Sequence, residues 1–321
     1  MKTNFRGSLG ALLIGILVLA LGFSVAAAPF RVAVVMPSSI SDLAFSQSMY
    51  DSLMAIKETM GSENFEFSYS EGMFIVADAA AAIRDYASQG YDLVIAHGSQ
   101  YGSSLVEIAP DFPNTGFAWG TTVDTFVDQG INNVFAYEAR SEEGGYVNGV
   151  LAAQLSKTGI IGVIGPIETG DAKLYVEGFI AGVASINADA EVKVVWTGSF
   201  SDVALASESA ETLINAGADV LTGTAQMVVG AVGVARQRGA LWFGTQADQT
   251  SLAPEIVAAN QVYDWTGTIE SMIEAIQGGT MGGTAYAITL ANGGLKMTVN
   301  AEALVGPTIN GIIDGTIEIE L

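Results

Sequence analysis

The chain has no cysteine, one histidine (His97), and only 12 Lys and Arg against 34 Asp and Glu in 321 residues. Without a thiol there can be no disulfide, no thiolate metal site, no cysteine nucleophile and no lipid attached at a cysteine behind a leader. A single imidazole also rules out a histidine-rich metal site. His97, at the end of the apolar run "DLVIAH", reads as a structural hydrogen-bonding residue before a catalytic one. The formal net charge of −22 repels phosphate backbones and anionic lipid surfaces, so neither nucleic acid nor a membrane surface is an expected partner. A neutral or cationic small ligand suits such a chain better than an anion, although the same acidity also keeps a secreted protein soluble. No "DxDxDG" pattern and no GK[ST] occurs, and the glycines of "GIIGVIGPIETG" (159–170) do not fall as GxGxxG. That segment reads as a tight strand-to-helix turn, and no cofactor or metal is expected.

The N-terminus carries a separate message. Lys2 and Arg6 form a basic start, Leu9 to Phe23 is apolar and uncharged, and Val25-Ala26-Ala27 is a small-residue site. This is the pattern of a signal peptide over residues 1–27 with cleavage after Ala27, which places the mature chain in the periplasm. The alternative is an uncleaved anchor, since no charge occurs from Gly7 to Phe30. Cleavage removes two basic and no acidic residues, taking the charge from −22 to −24.

The 294 residues that remain of 321 exceed what one core usually serves, so two domains are expected. Short β-branched runs alternate with helical patterns almost throughout. "RVAVVM" (31–36), "FEFSYS" (65–70), "DLVIAH" (92–97), "TGFAWG" (115–120) and "NNVFAYEA" (132–139) read as strands, with helices near 45–61, 73–89 and 101–110. The alternation resumes after "SEEGGYVNGVLAAQLSKTG" with strands at 160–165, 191–196, 218–223 and 240–245 and helices near 171–187, 203–216 and 227–238. Two such sets predict an α/β fold of two doubly wound parallel-sheet lobes. After "EIVAANQVYDW" come a helix near 266–278 and short strands near 285–290 and 295–299. A chain that runs through both lobes and returns implies a hinge of several strands, which suits a clamp closing on a ligand. The expected division is 28–138 plus about 264–284 for the first lobe, and 139–263 plus about 285–321 for the second.

Open parallel sheets bind ligands at the C-terminal ends of their strands, and polar or aromatic residues recur there. After the first strand come Asp42, Phe45, Ser46 and Gln47, and after the third Ser99 and Tyr101. In the second lobe the equivalent places are "GPIETGD", "WTGSFSD" with Phe200 and Asp202, "GTAQM" with Gln226 and "GTQADQ" with Asp248. Singly, such residues are often caps or turn formers. As facing sets they describe a cleft with aromatics to stack and carboxylates to accept hydrogen bonds.

The stretch "SDLAFSQSMYDSL" resembles the D-x-S-F-N signature of the basic membrane protein family, the purine-nucleoside-receptor-like binding proteins of ABC importers. "YVNGVLAAQLSKTGIIGVIGPI", "YVEGFIAGVASINADAEVKVVWTGSFSD", "ETLINAGADVLTG" and "FGTQADQ" extend the resemblance over nearly the whole mature chain, in the family's order. It implies a class I, Venus flytrap binding protein without chemistry of its own, delivering a purine nucleoside or nucleobase to a membrane ABC permease, as a monomer. In nucleoside-binding members the aromatic matched by Phe45 stacks on the base, and the acid matched by Asp248 binds ribose. The family's Asn is Ser46 here, and the segment where a ribose-binding Lys is expected reads "ANQVYDW". "VYDWTG" is more similar to the branch with "VDEWG", for which a free base such as adenine is implied. Asp264 is then expected to accept an exocyclic amine and Trp265 to wall the pocket, unless Trp265 merely packs at the hinge.

Other functions fit the residues less well. A secreted α/β enzyme using Asp42 or Asp248 as general base lacks a visible base–nucleophile pair. A ligand-sensing regulator lacks a helix-turn-helix segment before the first strand. A sugar or another heterocycle remains possible as ligand, because a stacking residue reads any flat or apolar face.

Overall fold

The computed structural model describes residues 1–2, 28–299 and 302–321, so the expected leader at 1–27 lies almost wholly outside the described residues. β1 (Phe30–Val35), β2 (Phe65–Ser70), β3 (Leu93–His97), β4 (Gly116–Gly120) and β5 (Val134–Ala139) pair in parallel in the order β2-β1-β3-β4-β5. β1 and β3 are buried on both faces, which is why they read as continuous apolar runs without alternation. The crossovers are α1 (Phe45–Met60), α2 (Val76–Ser88) and α3 (Gly102–Ile108). α1 buries Phe45, Met49, Leu53 and Ile56, residues spaced by four and three and hence on one face.

The second sheet repeats the scheme. β6 (Ile160–Gly165), β7 (Glu191–Trp196), β8 (Val220–Gly223), β9 (Leu241–Gln246) and β10 (Val257–Tyr263) run parallel in the order β7-β6-β8-β9-β10. Its helices are α4 (Ser141–Leu155), α5 (Gly170–Ile186), α6 (Val203–Asn215) and α7 (Val228–Arg238). α4 and α5 touch backbone to backbone through glycines four residues apart on each helix. A Cβ on Gly149 would lie 2.1 Å from the Phe179 carbonyl oxygen, and one on Gly182 2.1 Å from that of Tyr146. Only glycine permits that approach.

The chain then passes back and forth. α8 (Thr266–Gln277) packs on α1, β11 (Ala285–Ile288) adds to the first sheet in parallel beside β5, and β12 (Leu295–Val299) adds to the second antiparallel to β10. The expectation that 285–321 belongs to the second lobe is therefore corrected for Ala285–Ile288, which hydrogen-bonds to β5. α9 (Glu302–Ile313), packed on α4, is an element the sequence patterns did not predict. Three crossings between the sheets lie side by side and are tied together. The Arg140 amide donates to the Ile288 carbonyl at 3.0 Å, the Leu290 amide to Glu143 Oε2 at 2.6 Å, and the Asp264 amide to the Gly294 carbonyl at 2.8 Å.

Candidate functional site

In each sheet the strand order reverses beside the first strand, between β1 and β3 and between β6 and β8. At such switch points the loops diverge and leave a crevice. The loops of both lobes line one cavity between them. The first lobe contributes Phe45 after β1, Phe74 after β2, Ser99 and Gln100 after β3 and Thr121 after β4. The second contributes Asp171 after β6, Phe200 after β7, Gln226 after β8 and Gln246 at the end of β9.

Phe45 is held in place from several sides. Asp42 Oδ1 accepts the amides of Ala44 at 2.8 Å and Gln47 at 3.1 Å, and its Oδ2 accepts that of Ser46 at 3.2 Å, so the carboxyl tethers the start of α1. Burial raises the Asp42 carboxyl above its ordinary range more than these amides lower it. Gln47 Oε1 accepts the amide of Leu43 at 3.0 Å, holding Leu43 at φ 51°, a left-handed conformation costly for a branched residue. The ring of Phe45 lies flat on His97, with centroids 3.7 Å apart and planes 6° from parallel.

His97 supports Phe45 a second way. Its Nε2 is 3.0 Å from the Phe45 carbonyl oxygen and its Nδ1 2.7 Å from the Tyr137 hydroxyl. A carbonyl can only accept, so Nε2 carries the proton and Nδ1 accepts from Tyr137. Burial lowers the imidazole pKa to about 3, and the ring is neutral. His97 is thus the structural residue expected of it.

The cavity wall of the second lobe is more polar. Asp171, in the first turn of α5, is almost wholly buried. Burial pushes its carboxyl up to about 7; its own amide and the Thr121 and Tyr263 hydroxyls oppose the shift, while Glu138 adds to it. Asp171 Oδ2 and Gln226 Oε1 are shielded from solvent and have no hydrogen-bond partner. Two cavity-lining residues, Ala225 at φ 78° and Gln246 at φ 73°, also hold left-handed conformations. Strain of that kind collects at ligand sites.

Of the residues singled out from sequence, Phe45, Ser99, Phe200 and Gln226 line the cavity together. The others do not. Asp42 is occupied as a tether, Ser46 Oγ accepts the Ser38 amide at 3.2 Å, and the Tyr101 hydroxyl donates to the Met73 carbonyl at 2.7 Å. Gln47, Asp248 and Asp264 border a separate groove between α1 and the hinge. There Asp248 Oδ1 accepts from Asn260 Nδ2 at 3.0 Å, and Asp264 pairs with Lys296 at 2.6 Å. Burial pushes the Asp264 carboxyl up, but Lys296 and Thr266 outweigh it and leave it below its ordinary value. Trp265 is fully buried beneath Phe45 and does not wall the cavity. Its Nε1 donates to Ser48 Oγ at 3.0 Å and its amide to Ser52 Oγ at 2.9 Å, which ties the hinge to α1. Among the described residues no three His, Asp or Glu side chains converge as a metal site.

The sequence matches the family described as ABC transporter substrate-binding protein PnrA-like (Bmp) over residues 30–317. It is 32% identical over 223 residues to a purine-binding protein of Brucella abortus, covering 70% of this chain and 62% of that relative, less than two thirds of its length. It is 25% identical over 310 residues to the ABC transporter nucleoside-binding protein BmpA of Lactococcus lactis, covering 88% of this chain and 86% of that one. Among solved structures, an ABC transporter solute-binding protein from Aeropyrum pernix superposes with a TM-score of 0.76 at 21% identity, covering 90% of this chain and 93% of that one. That last likeness concerns the fold.

Proposed function

The chain belongs to the Bmp family of PnrA-like ABC transporter substrate-binding proteins, and from that premise we propose that its cleft captures a purine base or nucleoside. Members of this family are substrate-binding proteins, not enzymes, and their partners are a small molecule and a membrane permease. The observation that carries the purine reading is the pairing of Phe45 from one lobe with Phe200 from the other in the wall of a single interlobe cavity. Aromatic side chains from both lobes suit a flat heterocycle, whose rings stack on aromatics whatever their substituents. The relatives named as purine-binding and nucleoside-binding support the same reading.

A free base, adenine-like, is favoured over a nucleoside. Asp248, matched to a ribose-binding acid, lies outside the cavity and is bonded to Asn260, and no lysine is among the residues lining the cavity. Asp264, for the same reason, is not retained as the acceptor of an exocyclic amine. The protein acts outside the cytoplasm; we place it in the periplasm, led there by residues 1–27, as a monomer. Among the described residues no helix is long and apolar enough to cross a membrane.

Calorimetric titration with adenine, adenosine, glucose and ribose tests the proposal. Saturable one-to-one binding of adenine, tighter than that of adenosine, is expected. Binding of a sugar with no response to either purine compound would refute it.

A further inference from the structure

Among the described residues six buried side-chain atoms lack a hydrogen-bond partner: Glu142 Oε2, Asn148 Oδ1, Asp171 Oδ2, Thr224 Oγ1, Gln226 Oε1 and Tyr263 Oη. Only Asp171 and Gln226 line the interlobe cavity, where they are 6% and 9% exposed. A buried acceptor left unmet is costly, and more so when it belongs to an ionisable group. The Thr121 and Tyr263 hydroxyls lie near the Asp171 carboxyl, but neither makes a hydrogen bond of ordinary length to Oδ2, so two acceptors in the wall of one cavity are left for a ligand to meet.

The placement of Asp171 is built rather than incidental. The Ser141 hydroxyl donates to its carbonyl oxygen at 2.5 Å, and α5 cannot shift because its glycines lie against the backbone of α4. A Cβ on neighbouring Gly170 would lie 2.6 Å from Thr121 Oγ1, so the two lobes meet beside the carboxyl. Both unpartnered atoms are acceptors once Asp171 is ionised, above the value of about 7 to which burial raises it. Against the six-membered ring of a purine, an amino substituent would meet them with N–H donors, whereas an oxo substituent would set acceptor against acceptor.

We propose that Asp171, with Gln226 beside it, is the specificity-determining acceptor of the cleft and selects an amino-substituted heterocycle over its oxo counterpart. This rests on the purine reading above and names the substituent that the site prefers. Asp171 thereby takes the role that the family resemblance implied for Asp264.

The test is calorimetric titration of the full chain and its Asp171→Asn and Gln226→Met variants with adenine and with hypoxanthine. Titrated above about pH 7, where Asp171 is ionised, the wild type should prefer adenine by about tenfold or more, the worth of one hydrogen bond to a charged group. In Asp171→Asn that ratio should collapse towards one, because an amide can turn either a donor or an acceptor to the ring. A purely structural role would weaken both ligands alike and leave the ratio intact, which would overturn the inference. Should Asp171→Asn fail to fold, Gln226→Met must lower the ratio, and an unchanged ratio in that variant overturns the inference as well. A wild type that binds both bases without preference, or prefers hypoxanthine, overturns the inference alone. A wild type that binds neither removes the purine reading and the inference with it.

Discussion

The ring of Phe45 rests face to face on that of His97, 3.7 Å away and 6° from parallel, while His97 Nε2 donates to the carbonyl of the same phenylalanine. One residue thus fixes both the backbone and the ring of the cavity's first wall. Replacing His97 by Leu leaves the Tyr137 hydroxyl unpaired in the interior, while the Phe45 carbonyl keeps the Ser48 hydroxyl at 2.7 Å. The orphaned hydroxyl should cost about 1–3 kcal/mol of stability, read from urea unfolding, and purine affinity should fall as the platform loosens. An unaltered urea midpoint would show that the lost bonds contribute nothing.

Phe45→Ala and Phe200→Ala remove a stacking face from opposite lobes. Each is expected to weaken purine binding by about 1–3 kcal/mol in calorimetry, by analogy with base stacking on aromatics elsewhere. Equal affinity in either variant would take that residue out of the site.

Two buried groups make stability depend on pH in opposite senses. His97 is held at about 3 against an unfolded value of 6.5, so its contribution is whole above about 6.5 and is lost as pH falls towards 3. The Asp171 carboxyl is pushed up to about 7 from 3.8, so its contribution is whole below about 3.8 and is lost as pH rises through about 7. In the absence of ligand, Asp171→Asn should therefore gain on the wild type as pH is raised from about 4 to about 7. The deficit of His97→Leu should narrow as pH is lowered from about 6.5 towards about 4. Urea midpoints across that range check both, and offsets independent of pH would contradict them.

The α4–α5 contact fixes the start of α5 and with it Asp171. Gly149→Ala drives a methyl to 2.1 Å from the Phe179 carbonyl oxygen, a backbone atom that cannot turn aside. A loss of about 3 kcal/mol or more is expected, at the upper end for an overpacked core. Gly233→Ala, where a Cβ meets nothing within 4 Å, is the control and should not lose stability.

Much of this was legible from residue order because parallel strands buried on both faces stand out as apolar runs between helical stripes. The exceptions have physical causes. β11 is four residues long, and so short a strand carries no mark of the sheet it joins. α9 contains Gly306 and Pro307, the two residues least suited to a helix interior, and is held instead by packing on α4. In the site, Phe45, Ser99, Phe200 and Gln226 could be read from their places after strand ends. Phe74 was hidden in what reads as the first turn of a helix, which begins only at Val76. Asp171 closes the polar cluster "GPIETGD", but an acid in a helix's first turn already has an ordinary explanation in the helix dipole. Only its missing partner marks it out.

The central claim is that a purine ring lies in the interlobe cavity against Phe45 and Phe200, and the most direct measurement is a crystal structure of the protein grown with adenine. Ring density in van der Waals contact with the free face of Phe45, about 3.5–4 Å away, with the amino group within hydrogen-bond reach of Asp171, is the predicted result. Adenine seated instead in the groove beside Asp248 and Asp264, or a cavity closed without it, would contradict the account.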